Sequence, residues 1–113
     1  MREILSADFL ISIVWINEFN LLKNICNVNV LCIESDNEVV YSLNFTDILY
    51  TAYRQENIED EFEVIETTLS KFNDSKTVNF MHSKSRQDYW IIEFISGLHT
   101  LTISFKTLTC IKA

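Results

Sequence analysis

The stretch IEDEFEVIETTLSKF, residues 58–72, decides the fold class. Ile58, Phe62, Ile65, Leu69 and Phe72 recur at intervals of four and three. At about 100° per residue they stay on one side of a helix. Each buried side chain is worth roughly 1.5–3 kcal/mol. The spacing therefore predicts a helix over these residues. Just upstream, Thr46 can cap a first helical segment, TDILYTAYRQ, 46–55. Asp47 would lie in its first turn, where a carboxylate meets the positive end of the helix dipole.

The same spacing gives this helix a second face. ENIEDEFEVIE, residues 56–66, holds six acids and no base. Glu56, Glu59, Asp60, Glu63 and Glu66 fall together, away from the apolar side. Acids three or four positions apart repel, at roughly 0.2–0.5 kcal/mol per pair. A face kept only for solubility ordinarily mixes Lys with Glu. An unquenched acidic face is read here as complementary to a basic partner. Tyr53 would border it, and Tyr is favoured at binding hot spots.

Working outward, two hairpins are expected. DYWIIEFISGLHTLTISF, 88–105, has two alternating apolar runs around Ser96-Gly97. A two-residue loop there pairs Phe94 with His99, Ile92 with Leu101 and Trp90 with Ile103. All six fall on one face, and Glu93, Thr100 and Thr102 take the other. TVNFMH, 77–82, would add a third strand and make a meander. NVNVLCIESDNEVVYSLNF, 27–45, turns at Asp36-Asn37. It pairs Val28 with Phe45, Val30 with Leu43 and Cys32 with Tyr41, with Asn29 and Asn44 on the opposite face. FLISIVWI, 9–16, is apolar on every side. It reads either as a central strand or as the opening of a buried helix from Ser6 or Asp8 to about Ile25, and the helix is preferred. The expected architecture is α+β in a single domain, residues 1–113. An antiparallel sheet of about five strands would carry helices packed on one face.

Composition narrows the function. The chain has 113 residues, a formal net charge of -7 and a sequence pI near 4.7. A field of that sign repels nucleic acid and anionic lipid. One Gly and no Pro exclude GxGxxG, Walker A and GxSxG motifs. Cys26, Cys32 and Cys110 include no CxxC pair, so neither a disulfide framework nor a zinc knuckle is expected. Three free thiols fit a cytoplasmic protein. The N-terminal apolar run is too short to span a membrane and lacks the flanks of a signal peptide. His82 reads as a surface residue and His99 as a core-edge residue. Neither has an evident nucleophile or acid partner, so no catalytic residue, metal or cofactor is assigned. Lys84 and Arg86 read as a solvated turn.

In size, acidity and the stretch ENIEDEFEVIE, the chain resembles the immunity proteins of bacterial contact-dependent and polymorphic toxin systems. Those are small acidic single domains that bind one toxin tightly. The resemblance implies a non-enzymatic protein that neutralises a basic toxin domain, such as a nuclease, through an acidic surface. Glu56, Glu59, Asp60, Glu63, Glu66 and Tyr53 would form that surface. The alternative is a subunit or adaptor with an apolar interface, whose acidic residues merely face solvent.

Overall fold

A computed structural model describes residues 6–55, 62–71, 89–97 and 99–112. Among these residues helix α1 (Ala7–Ser12) is followed by nine strands. These are β1 (Ile13–Leu21), β2 (Ile25–Glu34), β3 (Asn37–Thr46), β4 (Tyr50–Gln55), β5 (Phe62–Glu63), β6 (Glu66–Lys71), β7 (Trp90–Ile95), β8 (His99–Phe105) and β9 (Thr107–Lys112). They form two antiparallel sheets, ordered β5-β1-β2-β3-β9 and β4-β8-β7-β6. The α+β expectation is therefore wrong. The protein is mostly β, and no helix packs across a sheet face among the described residues.

The correction starts at the deciding stretch. Residues 62–71 are strand, not helix. Phe62 and Val64 are buried, whereas Ile65 is 72% exposed. The chain bends between Val64 and Ile65. The Val64 N–H donates to Val14 O in the first sheet, and the Ile65 N–H donates to Ile95 O in the second. This bend breaks the two-residue alternation: the inward set is 62, 64, 67 and 69, whereas the helical spacing had counted the exposed Ile65 and passed over the buried Val64. Thr46 likewise ends a strand rather than capping a helix, and Tyr50–Gln55 pairs antiparallel with β8. At the N-terminus both readings hold in part. Ser6 caps a six-residue helix by accepting from the Phe9 N–H at 3.2 Å. The β-branched and aromatic run from Ile13 then extends as strand.

Both hairpins form with their faces as expected and their registers moved. Cys26 faces Phe45, Val28 faces Leu43, Val30 faces Tyr41 and Cys32 faces Val39. In the C-terminal hairpin Phe94 faces Leu101, Ile92 faces Ile103 and Trp90 faces Phe105. Each turn lies one residue from its expected place, so each partner shifts by two and every side chain keeps its face. The first turn is set by Ser35 and Asp36, both at positive φ (50° and 68°). That is the backbone of a turn whose twist suits the strands it joins. The proposed third strand, 77–82, lies outside the described residues. The second neighbour of β7 is β6.

The sheets share their margins. β3 runs into β4, and β8 into β9, as one ribbon bent at Asp47 (φ 56°) and Lys106. The Leu49 N–H to Ser104 O and Lys106 N–H to Thr46 O bonds carry the ladder through the bend. β5 and β6 make the equivalent corner on the other side. Followed through the corners, the strand pairings return to β1, a closure that limits free sheet edges. Between the sheets lies one core. Val28, Val30, Cys32, Leu43 and Phe45 from the first sheet pack with Ile92, Phe94, Leu101, Ile103 and Phe105 from the second.

Candidate binding site

β1 is an irregular strand. Its pairing with β2 slips between Ile13 and Trp15 and again between Ile16 and Glu18. Each slip is a bulge, which sharpens local twist and re-aims side chains. The second turns the strand at Asn17 beside a cavity of about 460 Å³. Trp15, Ile16, Asn17, Glu18 and Phe19 of β1 line it, with Tyr53 of β4, Phe62 of β5 and His99 of β8. The cavity therefore draws walls from both sheets, where β1, β4 and β5 approach one another.

Its walls are a ring cluster. Phe62 stacks on the His99 imidazole at 4.9 Å and 21°. Tyr53 meets Phe19 edge-on at 5.0 Å and lies nearly parallel to His99 at 6.0 Å. The Tyr53 hydroxyl and His99 Nδ1 are 2.8 Å apart and share a hydrogen bond, which fixes the imidazole plane. His99 is 3% exposed, and its other nitrogen, Nε2, is buried with no hydrogen-bond partner among the described residues. An orphaned buried polar atom costs about 1–3 kcal/mol. Among the described residues Glu18 supplies the only formal charge in the lining, and the Asn29 amide steadies its carboxylate at 3.0 Å.

The sequence-predicted surface is divided by this fold. Glu56, Glu59 and Asp60 lie outside the described residues, as do His82, Lys84 and Arg86. Glu63 is exposed on β5, opposite Trp15 in the first sheet. Glu66 is exposed on β6, opposite Ile95 in the second. They share no helical face. Tyr53, expected at a helix border, is instead a cavity wall and 38% exposed. Trp15, Glu18 and Phe19 were missed because residues 6–25 read either as strand or as buried helix, with the helix preferred. His99 is buried as expected, but its free nitrogen depends on packing that sequence does not report.

Little in the arrangement suits nucleophilic chemistry. Among the described residues no Ser, Thr or Cys lines the cavity. Cys26 and Cys32 are fully buried, and burial raises the thiol pKa of both and of Cys110. No group of three or more His, Cys, Asp or Glu side chains could hold a metal among the described residues. The thiols instead make a pH prediction. Their folded pKa values exceed the ordinary 9.0, and Tyr41, hydrogen-bonded to Glu34, is pushed up to about 12. The folded state thus holds these protons more tightly than the unfolded chain. That stability is fully present below pH 9 and is lost as pH rises towards the folded values. Urea midpoints should be level between about pH 7 and 8 and fall steadily above about pH 9. A midpoint that rises through that range would contradict the burial of these thiols.

No helix among the described residues is long and apolar enough to cross a membrane. Compared with protein-family models, curated proteins and solved structures, the chain matches none of them.

Proposed function

We propose that this chain is a non-enzymatic binding protein for a basic protein partner, as in the toxin-neutralising immunity proteins it resembles in size and charge. One observation carries the reading. The cavity between β1, β4 and β5 is walled by aromatic rings, and among the described residues the formal charge in its lining is the Glu18 carboxylate. Glu63, exposed next to Phe62, adds a second carboxylate at the same margin. In sequence, the acidic stretch 56–61 joins Gln55 of β4 to Phe62 of β5. A net charge of -7 steers a basic partner towards the protein. Partly exposed Tyr and Trp provide anchoring area at small cost in side-chain freedom.

A second reading, an adaptor with an apolar interface, rests on a different surface. Ile11 of α1 and Ile65 are 79% and 72% exposed. Both line a groove with Leu10, Ile13, Glu66 and Thr67. A salt series separates the two. The partner is recovered from extract of the native host, and its affinity for the purified protein is measured at rising ionic strength. A basic partner should lose about tenfold or more in affinity between about 50 and 300 mM salt, mostly through slower association. An affinity that changes less than about twofold would reject the first reading in favour of the Ile11–Ile65 groove.

A further inference from the structure

The outer face of the first sheet is not uniform. Strand pairing sets Asn20 beside Asn27, and Asn27 beside Asn44, in a row across β1, β2 and β3. The Asn27 amide donates to Asn44 Oδ1 at 2.7 Å and to Ser42 Oγ at 2.8 Å. Such a row follows the ordinary rule for a sheet with one solvated face, apolar inwards and polar outwards. The row nearer the β2–β3 turn breaks it. Trp15 stands opposite Leu31, and Leu31 opposite Val40, across the same strands. Leu31 lies between the buried Val30 and Cys32, so this row points away from the core. Its three side chains are half-buried. Ile33, two residues along β2 on the same face, is 40% exposed, and Ile111 of β9, beside Ser42, is 58% exposed.

Carboxylates border the apolar row. Glu63 stands opposite Trp15, and Glu38 opposite Ile33. Glu18 stands opposite Asn29, two residues before Leu31, and the Asn29 amide holds it there at 3.0 Å. All three acids are exposed. Among the described residues of this sheet the one basic side chain is Lys112. It pairs with Tyr41, whose other neighbour is the buried Val30, so its row belongs to the inner face. An apolar centre within a polar rim is the anatomy of a protein interface.

We propose that this outer face receives the basic partner. An apolar side chain of the partner seats on Trp15, Leu31 and Val40, and Lys or Arg side chains around it meet Glu18, Glu38 and Glu63. Charge selects this occupant. A second copy docked here about a two-fold axis would set acid against acid, which is costly. Nucleic acid and anionic lipid are repelled by the same rim. A basic surface gains from both the rim and the centre. Trp is also among the side chains that most often dominate binding energy. Trp15 and Glu18 line the neighbouring cavity as well, so face and cavity adjoin at β1.

This assignment rests on the reading of a basic partner, but its test needs no partner. The intact ¹⁵N,¹³C-labelled protein is titrated with the peptide acetyl-KLKLKLK-amide. The Trp15 indole and the Leu31 and Ile33 methyl signals are observed. Parallel titrations use the KSKSKSK peptide, which keeps the charge alone, and the ELELELE peptide, which reverses it. The first peptide should shift the three signals saturably and leave the Trp90 indole of the second sheet unmoved. The serine peptide should bind about tenfold more weakly or worse. The acidic peptide should cause no shift. Ile33→Ser should weaken the first peptide about threefold or more. Leu22→Ser, at a 65% exposed position in the β1–β2 turn, should leave it unchanged. The assignment is overturned by absence of a saturable shift at these signals, by equal binding of either comparison peptide, or by equal effects of the two substitutions. If it falls while the salt-sensitive partner affinity stands, the partner is basic but docks elsewhere. If the first peptide binds here and the partner affinity ignores salt, the face assignment stands and the partner reading fails.

Discussion

Phe45→Ala should cost about 3–5 kcal/mol of folding stability, the range for removing a fully buried Phe ring. Phe45 is fully buried in β3, and its ring meets that of Phe105 edge-on at 4.8 Å. The two rings belong to different sheets, so the contact ties β3 to β8 through the core. Small domains have only about 5–15 kcal/mol of net stability. The variant should therefore unfold at a much lower urea concentration, or fail to fold at 37 °C. Ile33→Ala, on the outer face of β2 and 40% exposed, is the matched control. It should cost less than about 1 kcal/mol. Equal costs at the two positions would mean that the sheets do not interleave at Phe45.

The second large effect separates strand from helix in residues 62–71. Val64→Lys should cost about 3–5 kcal/mol, because it places an unpaired charge in the core. Ile65→Lys should change stability by no more than about 0.5 kcal/mol. Val64 is 7% exposed and Ile65 is 72% exposed. A helix carrying the 58–72 spacing demands the reverse, since Ile65 lies on its apolar stripe and Val64 falls off it. Urea unfolding of the two variants decides between them in one comparison. A destabilised Ile65→Lys beside a tolerated Val64→Lys would restore the helix.

The pair also shows what was legible in the sequence. A strand alternates every two residues only while it stays in one sheet. At Val64-Ile65 the chain leaves the first sheet for the second, and the alternation changes phase. The helical template was matched by Ile65, an apolar residue that the fold leaves exposed, while the buried Val64 lay off it. A countersignal was present in the composition: Val64, Ile65, Thr67 and Thr68 are all β-branched, a choice that favours strand. Where strands do not switch sheets, the reading succeeded. The inward faces of both hairpins were recovered although each turn was misplaced by one residue. A two-residue register error cannot move a side chain through the sheet. Tyr50–Gln55 was harder for another reason. Its partner is β8, some 50 residues later in the chain, so local spacing carries no trace of the pairing.

The candidate site was less legible than the fold. Tyr53 was selected for its residue type and for a helix that does not exist, yet it lines the cavity. Glu63 was grouped with Glu66 by helical geometry, and the fold puts them on separate sheets. The cavity itself arises from a bulge in β1, the edge of β4 and the corner at β5. Those elements are brought together only by the closed arrangement of strands. His99 shows the limit most clearly. Alternation places it inward, as the structure does, but its unpartnered nitrogen is a property of the assembled ring cluster.

The most direct measurement is the affinity of the recovered partner for the double variant Glu18→Lys, Glu63→Lys. Both side chains are exposed, and both lie along the β1–β5 margin, so the fold should survive. Circular dichroism and the urea midpoint verify that before binding is measured. Reversing the two charges should lower affinity by about 100-fold or more, since like charges set against each other at an interface cost several kcal/mol. Glu66→Lys, in the other sheet, should have a much smaller effect. Full affinity in a folded double variant would contradict recognition of a basic partner at this margin.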